Sequence, residues 1–198
     1  MTVPVAPVAE PPVISHVERE GAQTHLVLGS ATIRYGDPRR YAVSLMNMLL
    51  GGGMSSRLFQ RIREELGLAY SVYTFQSFHA DAGVAGTYVG TSPETAATAL
   101  SAVQHELETL SREGFSVAEV DAGRQQLRGQ MMLSLEGASS RMYRLAAEEL
   151  YGEAHRTLDD ALAEIDRITH DDVVALCRTF LEPGRQTILS LGPGRTLT

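Results

Sequence analysis

At 198 residues, 43% of them hydrophobic, the chain is long enough to bury one sizeable core without staples. Its 17 Lys and Arg against 24 Asp and Glu give a formal charge of -7, with basic residues scattered singly along helical segments, which argues against nucleic acid as a partner. The single cysteine rules out an internal disulfide, and no stretch reaches the apolar length of a membrane span, so the expectation is a soluble chain that carries no visible address.

Residues 1–15, MTVPVAPVAEPPVIS, hold four of the eight prolines and no basic residue, so residues 1–20 read as a proline-rich tether, outside a single domain over 21–194. Alternation then predicts a strand over 24–32, with His25, Val27 and Gly29 on one side and Leu26, Leu28 and Ser30 on the other. Asp37 and Pro38 open a helix that keeps Tyr41, Leu45, Met48 and Leu49 on one face, and Gly51, Gly52 and Gly53 stop it. Ser55 or Ser56 caps the next helix, in which Leu58, Ile62 and Leu66 recur every four residues, and Gly67 stands where a left-handed C-cap belongs. AYSVYTFQSF and VAGTYVGTS, joined by HADAG, predict an antiparallel hairpin. Ser92 and Pro93 open a long helix with Ala97, Leu100, Val103, Leu107 and Leu110 as its apolar stripe. Ser116 with Glu119 forms a capping box for a segment that runs nearly to Gly152 with a bend near Gly137, and Thr157 with Asp160 and Thr169 with Asp172 repeat the signature for two more helices. QTILSLGP ends the domain as a strand. Four strands and about six helices without regular alternation indicate an α+β fold, an antiparallel sheet with helices packed on one face.

Most candidates for chemistry fail on their own residues. The glycine run follows a helix and Met54 stands where a phosphate-binding loop needs lysine. His16, His25, His79, His105, His155 and His170 contain no pair one helical turn apart, and HELET at His105 has Thr109 where a second ligand would stand. His105 therefore reads as a solvated helix residue, His170 as a helix-entry residue and Cys177, within VVALCRTF, as core. GMSSR lacks the glycine two residues after serine that a nucleophile elbow requires. What remains is Arg63, in the last turn of its helix, and Tyr70, at the start of the next strand. A reversal at Gly67 can bring a guanidinium and a phenol to one side, two donors suited to a peptide carbonyl that becomes an oxyanion. The plain alternative is a cation complementing a helix dipole and a tyrosine at an ordinary strand start.

LNMLLGGGMSSRLFQRIREELGLAYSVYTFQSF, then DAGVAGTYVGTSPE, EVDAGRQQLRGQMMLSLEGASSRMYRL and IDRITHDDVVAL, in that order from about Gln23 to Gly192, resemble the carboxy-terminal half of a pitrilysin/insulinase-type zinc metallopeptidase, a family that includes the mitochondrial processing peptidase subunits. The resemblance implies two similar halves facing each other around a closed chamber, joined by a tether, with the zinc motif H-x-x-E-H on the amino-terminal half. That motif is absent here. By the same resemblance, Arg63 and Tyr70 match the arginine and tyrosine that reach across the chamber to the substrate backbone, GGGMSSRLF matches the glycine-to-helix turn, and the proline-rich start falls where the tether would be. The implied function is the substrate-binding, non-zinc half of a zinc metalloendopeptidase, inactive alone, with no cofactor on this chain and zinc on its partner. The implied partners are that zinc-bearing half and peptide substrates, with self-association through the partner surface left open. A structural or assembly subunit of the same fold, as in respiratory-complex core proteins, is the alternative.

Overall fold

A computed structural model describes residues 12–194. Five strands form one sheet in the order β1-β5-β2-β4-β3: β1 (Ile14–Glu18), β2 (Thr24–Thr32), β3 (Ser71–Phe78), β4 (Gly83–Thr91) and β5 (Thr187–Gly192). All neighbours are antiparallel except β1 and β5, which run parallel, Ile14 opposite Ile188. The β3–β4 hairpin closes where the His79 amide donates to the Ala82 carbonyl at 2.7 Å, as the alternation predicts. β1 corrects one expectation: residues 14–18, placed within the tether, form an edge strand. Its pattern ISHVE does not alternate cleanly and its apolar Ile14 and Val17 stay exposed, so only pairing with the far end of the chain defines it. Positions 1–11 of the expected tether lie outside the described residues.

Helices pack on one face of this sheet. α1 (Arg40–Gly51), α2 (Ala96–Glu113) and α6 (His170–Phe180) lie nearest, α3 (Val117–Ser134) and α5 (Leu158–Asp166) lie outside them, and α4 (Ala138–Tyr151) connects α3 to α5. One core joins Leu26, Leu28 and Val89 of the sheet to Leu45 and Met46 of α1, Val103, Leu107 and Leu110 of α2, and Val173 and Cys177 of α6. On α2 the buried stripe runs through Ala96 and Ala99, and Ala97 is exposed, because the helix begins at Ala96, capped by Thr95 after a turn at Ser92–Thr95. All three capping boxes form, at Ser116, Thr157 and Thr169. The segment expected to bend near Gly137 breaks there into α3 and α4. No helix among the described residues is long and apolar enough to cross a membrane.

Candidate functional site

The glycine run is shaped by close approach and not by a left-handed turn. A Cβ at Gly51 would stand 2.6 Å from the Thr74 methyl and one at Gly52 would stand 2.7 Å from the Met48 Cα, whereas Gly53 meets nothing. The end of α1 can therefore rest on β3, where the Thr74 hydroxyl donates to the Asn47 carbonyl at 2.8 Å. Ser56 does not cap the next helix. Its hydroxyl donates backward to the Gly53 carbonyl, and that helix starts without a side-chain cap.

The helix itself, Phe59–Glu65, is a π-helix. Its wider turn, closed by the Leu66 amide on the Arg61 carbonyl at 3.1 Å, shifts the four-residue apolar phase: Leu58 and Ile62 are fully buried, but Leu66 is exposed. Gly67 then reverses the chain at φ 61°, as the sequence predicts, and the Leu68 amide reaches back to the Ile62 carbonyl at 2.9 Å. Two bonds pin the return to the end of β4: the Thr91 hydroxyl donates to the Leu68 carbonyl at 2.6 Å and the Tyr70 amide to the Gly90 carbonyl at 2.8 Å. A π-helix inserted beside a tight reversal is a common mark of a functional segment.

Arg63 and Tyr70 stand on either side of this clasp, both exposed. The Arg63 guanidinium lies 4.9 Å from the Phe59 ring centroid and its Nε sits 3.8 Å from the Glu64 carboxylate, so one face is braced and the rest is open. Tyr70 is 60% exposed, and among the described residues its hydroxyl has no hydrogen-bond partner. The two side chains are not bonded to each other. They are two available donors on one rigidly clipped connector.

The sequence reading missed a cluster beside them. On the sheet face away from the helices, His25 Nδ1 and the Tyr88 hydroxyl share a hydrogen bond of 2.7 Å, and Tyr73 stacks on Tyr88 with ring centroids 4.8 Å apart. Gly90, the residue that holds the Tyr70 amide, leaves room for the Tyr88 hydroxyl, which a Cβ there would meet at 3.1 Å. Alternation in HLVLG and GTYVG places these residues on one face, but pairing His25 with Tyr88 across 63 residues needs the register of β2 on β4.

The other candidates sit where the sequence puts them. His105 is exposed on α2, the His170 Nε2 lies 2.8 Å from the Phe115 carbonyl at the start of α6, and Cys177 is fully buried, its thiol pushed up to about 12 by burial. Among the described residues no group of three or more His, Cys, Asp or Glu is placed to hold a metal, so the donor set does not fit zinc.

Known proteins share this fold. Residues 1–127 match the family model described as the Peptidase M16 inactive domain. The chain is 40% identical over 182 residues to an uncharacterized zinc protease of Mycobacterium tuberculosis, a match that covers 92% of this chain and 41% of that protein. It is also 40% identical over 178 residues to an uncharacterized zinc protease of Streptomyces coelicolor, covering 89% and 38%. The crystal structure of a peptidase M16 inactive domain from Pseudomonas fluorescens superposes with a TM-score of 0.88 at 28% identity, covering 96% of this chain and 45% of that one. The chain thus spans less than half the length of these relatives. Its α+β sheet, its ordered motifs and these likenesses together show that the chain belongs to the peptidase M16 inactive-domain family.

Proposed function

We propose that this chain is the substrate-contacting, non-zinc half of a zinc metalloendopeptidase, closing on peptides or small unfolded proteins against a zinc-bearing half. The observation that carries the reading is the pair of open donors, Arg63 braced on Phe59 and Tyr70 beyond the Gly67 reversal, on a connector clipped to β4. Zinc on the other half would supply the Lewis acid and the activated water. This chain's own residues bind and orient. Arg63 holds a backbone carbonyl of the peptide, and Tyr70 donates to that oxygen more strongly as it gains negative charge. Each such donor lowers a barrier by about 3 kcal/mol when well placed. The open edge of β3 offers unpaired backbone groups along which an extended peptide can lie, beside the ring pair of Tyr73 and Tyr88.

Mixing the chain with a half that carries H-x-x-E-H tests this. Cleavage of an unfolded peptide is expected only from the mixture, with Arg63→Ala and Tyr70→Phe each lowering kcat/KM by about two orders of magnitude, the loss expected of one oxyanion donor. Stable assembly with cleavage unaltered by both substitutions is the behaviour of a purely structural subunit and would overturn the proposal.

A further inference from the structure

On the helical side of the sheet, away from Arg63 and Tyr70, the start of α1 and the link from α5 to α6 enclose a cleft of about 470 Å³. That lies within the size range of small-molecule sites, roughly 300–1,000 Å³. Small side chains leave the space open, Ala42 of α1 and Ala175 of α6 both lining it. The floor is apolar, with Tyr41, Ile168 and Leu176 all buried. Three guanidinium groups, those of Arg39, Arg156 and Arg167, stand in the walls.

The commitments of these cations decide what the cleft can hold. Arg39 gives Nε and Nη2 to the Asp37 carboxylate at 3.0 and 2.8 Å, and Arg156 gives Nη1 to Glu164 at 2.9 Å. Asp172, the other acid in the wall, caps α6, where its Oδ2 accepts from the Thr169 amide and hydroxyl and its charge is matched by the helix N-terminus. Of the three arginines only Arg167 is without an ion-pair partner among the described residues. One positive charge above an apolar floor is therefore left uncompensated.

We infer that this cleft binds a small carboxylate with an apolar body, its head paired with Arg167 and its tail resting on Tyr41, Ile168 and Leu176. A planar carboxylate matches the fork of a guanidinium, which can hold both oxygens at once. One negative charge fits and two do not, because the Glu164 and Asp172 carboxylates share the wall and repel a doubly charged phosphate. The same chemistry ends every peptide whose last residue is apolar and also occurs in free organic acids. None of Arg63, Tyr70, Tyr73 and Tyr88 lines the cleft, so the inference stands apart from the peptidase reading.

Titration of the chain with N-acetyl-leucine and with 4-phenylbutyrate, followed by its amide chemical shifts, tests this. Saturable binding with a Kd on the order of 1 mM is expected for ligands of about a dozen heavy atoms, with the shifts clustered over residues 38–42 and 164–179. Binding of the first alone points to peptide carboxyl ends, of the second alone to free organic acids, and of both to apolar carboxylates in general; each supports the inference. Arg167→Gln should weaken binding about tenfold, the loss of one charge-assisted pair. Ala175→Phe fills the cleft, leaves every charge in place and should abolish binding. Both positions are exposed, so the core is undisturbed, and Arg178→Gln, on α6 but outside the cleft, should change nothing. If Arg167 only complements the carboxyl end of α5, neither acid binds saturably up to about 10 mM, roughly ten times the expected Kd, and that result overturns the inference. Binding that Arg167→Gln leaves unchanged overturns it too. So does N-acetyl-leucinamide or inorganic phosphate binding as tightly as the acids, because the cleft would then not be reading one negative charge on an apolar body.

Discussion

Arg63 and Tyr70 owe their availability to neighbours that do the structural work around them. Ile62 fills the core, Gly67 turns the chain, and the Tyr70 amide holds β4, leaving the Tyr70 phenol exposed and the Arg63 guanidinium in contact only with Phe59 and Glu64 of its own helix. Arg63→Ala and Tyr70→Phe are therefore expected to change the unfolding free energy by less than about 0.5 kcal/mol, as exposed substitutions do, and urea denaturation checks this. The glycines with positive φ behave differently from one another. Gly67→Ala meets no neighbour and should cost only the left-handed strain, about 1 kcal/mol, whereas at Gly114, with φ 74°, a Cβ would stand 2.6 Å from a Val174 methyl. Gly114→Ala should thus destabilise clearly more, and equal midpoints for the two variants in urea would contradict the packing described. Arg63 and Tyr70 lie within one short local stretch, one helix end and one reversal, so the sequence can place them together. The His25–Tyr88 bond could not, because its partners meet only through strand pairing.

Elements with local signals were legible, and those defined by distant partners were not. Three capping boxes, the 24–32 strand and the hairpin arise from residues within a few positions of each other, so spacing alone specifies them. Replacing Thr169 by Ala should lower stability by about 1 kcal/mol, since it frees the Asp172 amide that the hydroxyl now caps, and thermal unfolding measures it. β1 escaped because its pairing is to β5, and the π-helix because its fifth-residue bond carries no residue signature. α4 is held in part by a carboxylate. Burial pushes the Glu148 carboxyl up, but hydrogen bonds from His155 and Arg144 outweigh it, and the net pKa lies below the ordinary 4.5. A carboxylate held low in the fold stabilises it above its unfolded pKa and loses that contribution as pH falls through the folded value. Hydrogen exchange should show amides 138–151 losing protection as pH falls below the ordinary 4.5 while the core of α2 keeps its own, because α4 is anchored by that carboxylate and α2 by apolar packing. Glu148→Gln should remove the pH dependence and leave α4 weakly held throughout. Protection of α4 that is flat with pH in the unsubstituted chain would contradict this anchoring.

At the scale of the molecule, the sheet is finished on one face and unfinished on the other. Helices cover the side of Leu26, Leu28 and Val89, while on the other face Val27 is half-buried and Tyr73, Val84 and Leu189 are exposed. The chain spans about 41% of a zinc-protease relative from Mycobacterium tuberculosis, and among the described residues no group of three or more His, Cys, Asp or Glu is placed to hold a metal. The family and the α+β layering were legible because motif order and helix signals survive in a single sequence; the open sheet face was not, because a half-buried strand reads the same whether its second face meets solvent or a partner. Single-turnover cleavage of an unfolded peptide by the chain combined with an H-x-x-E-H half, with the affinity between the halves measured in parallel, tests the central claim most directly. Tyr70→Phe should slow the chemical step about a hundredfold, the loss of one donor to a developing oxyanion, while the halves bind each other as tightly as before. A chemical step that proceeds at the unsubstituted rate, in a complex of unchanged affinity, would contradict it.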